Sequence, residues 1–155
     1  MSENQLDKYY NYYKKVYNQY DKLMKLQKEF KHKNPLLDFK IKKENIIELF
    51  GSCYQASLRG KFEDIIQIFG WPCYIGDDAS DDRKVFVEWV LEFPSEQICT
   101  IYNYKNGYNY MGENGISVFD MEYWSVGGHN YEVINELKRI LENTKIKSIK
   151  IINEQ

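Results

Sequence analysis

Apolar residues near the start of the chain recur at intervals of three and four positions. This period places them on one face of an α-helix, and no proline or glycine interrupts residues 2–31. Ser2 and Gln5 have the spacing of a capping box, and Pro35 ends the segment because the residue before a proline disfavours helical backbone angles. We therefore predict a long amphipathic helix within residues 1–33. Its apolar face comprises Leu6, Tyr9, Tyr10, Tyr13, Val16, Tyr17, Tyr20, Leu23, Met24 and Phe30.

Two interpretations of this apolar face stay open. In the first, the face packs against the rest of the same domain. In the second, it is a seam between chains, because Leu6, Tyr13 and Tyr20 approximate one position of a heptad repeat. A homo-oligomer through this helix is thus one of the partners considered. The predicted partner-binding residues are Tyr9, Tyr13, Tyr17 and Tyr20.

Apolar and charged residues alternate from Lys84 to Phe93, a pattern typical of a half-buried β-strand. Residues 94–97 supply a hairpin loop. Residues 98–104 are rich in β-branched and aromatic side chains and form the next predicted strand. Residues 116–126 add one or two further strands, so the sequence predicts an antiparallel sheet in this part of the chain.

Shorter helices are predicted before and after the sheet. Lys43–Phe50 and Lys61–Phe69 each place apolar residues on one helical face, and a glycine follows each segment as a stop signal. Towards the C-terminal end, Gly127–Gly128 breaks the last strand and Asn130 caps an amphipathic helix. Residues 145–152 are either an edge strand or disordered.

These elements predict the α+β class, with a two-layer arrangement of helices on an antiparallel sheet of about three to five strands. The long N-terminal helix (1–33) and the α+β domain (34–155) are expected to form one folding unit. Composition agrees with this expectation, because 43% hydrophobic and 16% aromatic residues in a chain of 155 residues suffice for a single core.

Charge and cysteine content narrow the classes of function. A net charge of −2 and only three arginines give no general attraction to phosphate backbones, so nucleic acid is disfavoured as a partner. Cys53, Cys73 and Cys99 lack the spacing of a zinc site or a disulfide framework, which favours reduced thiols. Without an apolar signal core or a membrane-length apolar run, the chain is expected to stay in the cytoplasm in which it is made.

Several sequence blocks in the second half of the chain resemble a known group of proteins. They are Val87–Trp89, Thr100–Gly107 (TIYNYKNG), Asn109–Gly112 (NYMG) and Trp124–His129. With Phe69–Gly70 before a proline, they make residues 61–141 similar to uncharacterised accessory proteins of large DNA viruses and bacteriophages. The resemblance implies an accessory protein of viral or mobile-element type, leaves out the N-terminal helix and carries over no catalytic residue.

Two loops carry polar groups of chemical interest. The four aspartates in residues 77–82 offer oxygen ligands for Mg²⁺ or Ca²⁺, but their spacing is not that of an EF-hand. We favour a solvated acidic loop and assign no metal ligand. Residues 127–130 lie at a strand-to-helix junction, where backbone amides favour an anion, although a plain turn and cap explain the same residues. His129 lacks an identifiable nucleophile and carboxylate, so we assign no catalytic residue and no cofactor.

Aromatic residues of the predicted sheet are candidates for a platform that stacks a nucleobase or docks a partner. Because side chains alternate along a strand, Tyr102 and Tyr104 share one face, and both core packing and binding explain that placement. The platform comprises Trp89, Tyr102, Tyr104, Tyr108, Tyr110, Tyr123 and Trp124. The predicted ligand-binding residues are Trp89, Tyr102, Tyr104, Trp124, Gly127, Gly128, His129 and Asn130.

Three functional hypotheses follow. The leading one is a noncatalytic, viral or phage-type accessory protein that binds a host macromolecule, chiefly a host protein, with a role in protein–protein interaction or in inhibition of host defence. The alternative is a binder or sponge of a small phosphorylated ligand such as a nucleotide. The third is a metal-dependent hydrolase that uses Asp77, Asp78, Asp81 or Asp82.

Overall fold

The computed structural model describes residues 2–31, 40–41, 52–76 and 84–154. The α-helices are α1 (Glu3–Glu29), α2 (Phe62–Phe69), α3 (Tyr108–Met111) and α4 (Glu132–Asn143), and 3₁₀ turns span Gly112–Asn114 and Val118–Asp120. The strands are β1 (Lys40–Ile41), β2 (Cys53–Arg59), β3 (Tyr74–Ile75), β4 (Val87–Glu92), β5 (Ile98–Tyr102), β6 (Tyr123–Gly128) and β7 (Lys150–Ile152). The predicted helix Lys43–Phe50 and the acidic loop 77–82 lie outside the described residues.

The strands form one antiparallel sheet in the order β1-β4-β5-β6-β2-β7, and β3 also pairs with β4. The predicted α+β class, with a long N-terminal helix, an antiparallel sheet and a C-terminal helix, is confirmed. The described sheet has seven strands rather than three to five. The additional ones are β2, which the sequence did not predict, and two-residue strands along the outer edge of β4.

One face of the sheet is covered by helices and forms the core. Strand register aligns Trp89, Ile101, Val126 and Ala56 in a row across β4, β5, β6 and β2, and all four side chains are 0% exposed. Phe62 of α2 packs on this row, with its ring 5.8 Å from that of Trp89. The core therefore lies between this face and the helices.

Two buried indoles tie α2 to the sheet. The Trp124 Nε1–H donates to the carbonyl of Gly60, just before the helix, at 2.9 Å. The Trp89 Nε1–H donates to the carbonyl of Gly70, just after the helix, also at 2.9 Å. Because a buried indole N–H needs an acceptor, these two bonds fix both ends of α2 over the sheet.

Helix α1 packs on its own domain through one of its faces. The capping box of Ser2 and Gln5 is present, as the sequence predicted. Leu23 is 3% exposed and joins the core cluster. The Gln19 side chain is 4% exposed, and its Oε1 accepts the Val118 amide at 2.7 Å. This contact fixes the position of the helix, because the buried Val118 amide and the Gln19 side chain satisfy their hydrogen bonds in only one arrangement.

One local prediction differs from the structure. Gly127 and Gly128 lie within β6 instead of ending the strand before them, because their backbone is extended and pairs with β2. Residues 116–126 supply one strand, the smaller of the two predicted numbers, since the first part of this segment is an isolated bridge at Ile116 and a 3₁₀ turn. The tail forms the edge strand β7, which pairs with β2.

Candidate functional site

The second face of the sheet carries the tyrosines that the sequence analysis singled out. Strand register places Tyr102 opposite Glu88 on one side and Ser125 on the other. Since successive side chains of a strand alternate between faces, this row lies on the face opposite to Trp89. Tyr104 follows next to it, with its ring 6.4 Å from the Tyr102 ring at an interplanar angle of 85°.

Four tyrosines on this second face form what we call the tyrosine patch: Tyr54, Tyr102, Tyr104 and Tyr123. Tyr54, Tyr104 and Tyr123 are 37%, 50% and 53% exposed, and Tyr102 is half-buried. The contrast with the fully buried row on the other face is large. Part of the predicted platform therefore lies at the surface.

Small residues between the tyrosines let their rings lie close to the sheet. The hydroxyl of Tyr54 is hydrogen-bonded to Oγ of Ser57 at 2.6 Å. A Cβ added to Gly127 would lie 2.6 Å from Oγ1 of Thr100 and 3.5 Å from Cε1 of Tyr102. The close approach of Thr100, with the Tyr102 ring in contact above it, thus favours a glycine at position 127. This packing explains the glycine without any ligand.

Basic side chains border the tyrosine patch. Arg59 pairs in register with Tyr123 on one side and with Lys150 on the other, and both basic residues are exposed. At the other end, the Lys105 Nζ lies 5.2 Å from the centre of the Tyr104 ring, within the range of a cation–π contact. The patch is therefore aromatic with basic residues at both ends, while the Glu88 carboxylate lies beside Tyr102 on the same face.

The ionisation state of Tyr102 follows from its surroundings. Burial raises the pKa of this phenol above its ordinary value, and the Glu88 carboxylate raises it further. The carboxylate does so because negative charge nearby disfavours the phenolate. The patch thus presents a neutral hydroxyl, a group suited to hydrogen bonding.

Trp89 and Trp124 are not part of this surface. They are 0% and 1% exposed, their rings contact each other at 5.4 Å, and both N–H groups are used by α2. Their predicted place in a ligand-binding platform is therefore corrected: both indoles are core residues.

Packing and capping account for the geometry of residues 127–130. Neither Gly127 nor Gly128 has a positive φ, so they do not form the curved nest of amides that binds anions. A Cβ on Gly128 would lie 2.6 Å from Cγ2 of Val133, so α4 needs a glycine there. Oδ1 of Asn130 accepts the Glu132 amide at 2.8 Å, one residue before the N-cap position Tyr131, which makes no side-chain cap bond of its own. His129 is exposed beside it.

The four predicted partner-binding tyrosines of α1 divide into two groups. The Tyr20 hydroxyl donates to the Gly76 carbonyl at 2.6 Å, so this side chain is used within the domain. Tyr9, Tyr13 and Tyr17 are 52%, 50% and 69% exposed. The rings of Tyr9 and Tyr13 meet edge to face at 4.5 Å, and their hydroxyls are hydrogen-bonded at 2.9 Å.

A groove of about 540 Å³ separates the first turns of α1 from the 3₁₀ turn at Gly112–Asn114. It is lined by Gln5, Lys8, Tyr9, Tyr12 and Glu113. The Tyr12 hydroxyl donates to the Tyr108 carbonyl at 3.2 Å and so anchors α1 beside the groove. One charge of each sign lines it, which gives no preference for an anion or a cation.

Among residues 2–31, 40–41, 52–76 and 84–154, no three His, Cys, Asp or Glu side chains come together in a way that could hold a metal ion. Burial raises the pKa of the Cys99 thiol far above its ordinary value, and Glu136 adds to the effect. Because the thiolate is the nucleophilic form, Cys99 is an inert core residue. Cys53 is exposed.

Sequence reasoning missed Tyr54, because residues 53–59 were not predicted as a strand. The usable signal was short: Ala56 and Leu58 alternate with Ser57 and Arg59, as in a half-buried strand. A bulge between Tyr54 and Ala56 interrupts the register and confines that alternation to four residues.

Among the described residues, no helix combines the length and apolar character needed to cross a membrane. Comparison with known proteins places this chain in no group: no protein-family model, no curated protein and no solved structure matches it.

Proposed function

We propose that this chain is a noncatalytic accessory protein of viral or phage type that binds a host protein through the tyrosine patch. The observation that carries the proposal is the exposure of Tyr104 and Tyr123, 50% and 53%, on a sheet whose other face is fully buried. Tyr54 and Tyr102 complete the surface.

The residue type supports a protein-binding role. A tyrosine buries about 150–250 Å² when covered, carries both an apolar ring and a hydrogen-bonding tip, and has only two side-chain torsions to immobilise. For these reasons tyrosine is enriched at the energetic centres of protein interfaces. Tyr54 is already held by Ser57, and Tyr102 and Tyr104 are held by contact with each other, which lowers the entropic cost of binding for these three side chains.

The rim defines the chemistry of the partner. Arg59, Lys105 and Lys150 border the patch, so we expect an apolar contact region edged by carboxylates on the bound protein. A protein partner is favoured over a nucleic acid because the whole chain carries a net charge of −2, whereas nonspecific nucleic-acid binding depends on neutralising many phosphates. The described residues give no additional support to the nucleotide-binding or hydrolase alternatives.

The test compares two double variants as bait. Tyr104→Ser/Tyr123→Ser removes two exposed rings of the patch, and Tyr10→Ser/Tyr17→Ser removes two exposed rings of α1 as the matched control. Proteins captured from host lysate by the wild-type chain are purified, and their affinity for each variant is measured by calorimetry. We expect a one-to-one complex that the patch variant weakens at least tenfold, and the control less than threefold.

Two results would contradict the proposal. One is a purified partner that binds the patch variant as tightly as the wild type. The other is capture that disappears on nuclease treatment, which would identify a nucleic acid as the bound species. Thermal melting of both variants is recorded first, because the comparison requires two folded proteins.

A further inference from the structure

Helix α1 has a second apolar face besides the one that packs on the domain. We call it the α1 stripe: Leu6, Tyr10, Tyr13, Tyr17 and Met24, which are 54%, 70%, 50%, 69% and 55% exposed. Their spacing keeps them along one side of the helix. The inward face is formed by other residues, among them Val16, Gln19 and Leu23. A helix that only covers its own core needs the inward face alone.

The α1 stripe is almost symmetric about position 15. Leu6 and Met24 lie nine residues to either side of that position, and Tyr13 and Tyr17 lie two residues to either side. Tyr10 has Tyr20, which is partly exposed at the border of the stripe, as its mirror position. In a twofold interface, each residue of one copy meets its mirror position in the other copy. An antiparallel pair of helices therefore aligns this stripe with itself.

The charges beside the α1 stripe favour the same orientation. Glu3 and Asp7 lie at the N-terminal end, and Lys25 and Lys28 lie at the C-terminal end, where the Lys25 Nζ also lies 3.0 Å from Oδ2 of Asp21 on the same helix. An antiparallel pair brings the acidic end of each helix to the basic end of the other, whereas a parallel pair brings lysine to lysine. Flanking charges of this kind set orientation in paired helices. Lys14 lies near the centre of the helix and is therefore close to Lys14 of the second copy in both orientations. It does not distinguish an antiparallel pair from a parallel one.

The area available matches a small, specific interface. Covering five side chains that are each 50–70% exposed removes roughly 600 Å² per copy, on the basis of about 150–250 Å² for a fully buried aromatic side chain. The total of roughly 1,200 Å² lies at the lower limit of specific protein interfaces. We therefore propose that the α1 stripe is the interface of an antiparallel homodimer, with a dissociation constant on the order of micromolar.

The first test measures the mass of the full chain by sedimentation over a concentration series from about 0.1 μM to 100 μM, a range that brackets a micromolar dissociation constant. We expect a monomer–dimer equilibrium for the wild type. Tyr10→Ser/Tyr17→Ser should weaken it at least tenfold. Asn11→Ser/Asn18→Ser is the matched control, with two exposed positions at the same spacing on another side of the same helix. The control should stay within threefold of the wild type.

The second test determines orientation by exchanging charges. Lys25→Glu/Lys28→Glu should weaken the dimer because each acidic end now meets an acidic end. Adding Glu3→Lys/Asp7→Lys restores opposite charges in an antiparallel pair, so the fourfold variant should regain affinity to within threefold of the wild type. In a parallel pair, like charges still face each other after the exchange and no recovery occurs.

Three outcomes would overturn the inference: a wild-type chain that is monomeric over the whole concentration range, a dimer unaffected by Tyr10→Ser/Tyr17→Ser, or a fourfold charge variant that does not recover. Circular dichroism of every variant confirms that α1 is folded. The inference does not depend on the tyrosine patch, so loss of the dimer and loss of partner binding are measured separately with the two tyrosine variants.

Discussion

Replacement of Gly128 by alanine tests how closely α4 packs on the sheet. The new Cβ would lie 2.6 Å from Cγ2 and 3.0 Å from Cγ1 of Val133, whereas carbon atoms in contact are about 3.5–4.0 Å apart. Val133 is 0% exposed and cannot turn into solvent. Overpacking of a core costs about 1–3 kcal/mol, and an overlap of this size lies in the upper part of that range.

The rescue variant Val133→Ala removes both clashing atoms. Alone, it loses two buried methyl groups and leaves a cavity, which lowers the free energy of unfolding by about 2 kcal/mol. In Gly128→Ala/Val133→Ala, the new methyl group occupies the vacated space. The double variant should therefore lose about 2 kcal/mol rather than the sum of about 4–5, which is a coupling of at least 1.5 kcal/mol.

Urea unfolding followed by circular dichroism and tryptophan fluorescence measures these free energies. In a domain of this size, each kcal/mol also lowers Tm by about 2–4 °C. Gly112→Ala is the control, because nothing lies within 4 Å of its added Cβ but its φ is +61°, so its cost arises from the backbone and Val133→Ala cannot relieve it. Additive losses for Gly128→Ala and Val133→Ala would refute the reasoning. A negligible effect of Gly128→Ala would reopen a binding role for this glycine.

Three further predictions concern buried polar and thiol groups. Asn103 is 0% exposed, and its Oδ1 accepts the backbone amides of Phe86 and Val87 at 2.8 Å each. Asn103→Ala should therefore lower the free energy of unfolding in urea by about 2–4 kcal/mol, since each buried amide left without an acceptor costs about 1–3 kcal/mol. A loss below about 1 kcal/mol would contradict this. Gln19→Leu should cost about 1–3 kcal/mol for the same reason and should speed proteolytic cleavage within α1, whereas the exposed Asn18→Leu should do neither. Alkylation of the native protein at pH 8, followed by mass spectrometry, should modify the exposed Cys53 at least a hundredfold faster than Cys99. Burial and the raised pKa of Cys99 suppress its reactive thiolate form. Equal rates would show that Cys99 is accessible.

The sequence predicted the elements whose period is long and uninterrupted. Helix α1 repeats its pattern over 27 residues, and β4 and β5 are rich in apolar and β-branched residues and are joined by a short hairpin loop, so these elements were predicted close to their observed bounds. Strand β2 was missed because its bulge at Gln55 breaks the alternation. Gln55 is 7% exposed and its Nε2 donates to the Gly128 carbonyl at 3.0 Å, a tertiary contact that no local pattern reveals.

The candidate site was only half predictable for a related reason. Alternation shows which residues of one strand share a face, but the face shared between strands depends on register. Trp89 pairs with Ile101 and therefore lies on the covered face, while Tyr102 lies on the other. Separating Trp89 from Tyr102 required the register of the hairpin, which is fixed by the hydrogen bond from the Phe93 amide to the Gln97 carbonyl at 3.0 Å and does not follow from the sequence of either strand alone.

The ambiguity of the α1 pattern has a structural reason. The ten apolar residues of the predicted face exceed what one contact face needs, so core packing and an intermolecular seam each explained part of the pattern. In the structure, Val16 and Leu23 face the domain, and the exposed stripe consists largely of tyrosines. Tyrosine suits a reversible interface, because its hydroxyl stays hydrated in the monomer while its ring is covered in the pair. A stripe of leucines would leave a larger apolar surface exposed in the monomer and would favour aggregation. A stripe made largely of tyrosine, with a single leucine, is therefore suited to the weak and reversible dimer that we propose.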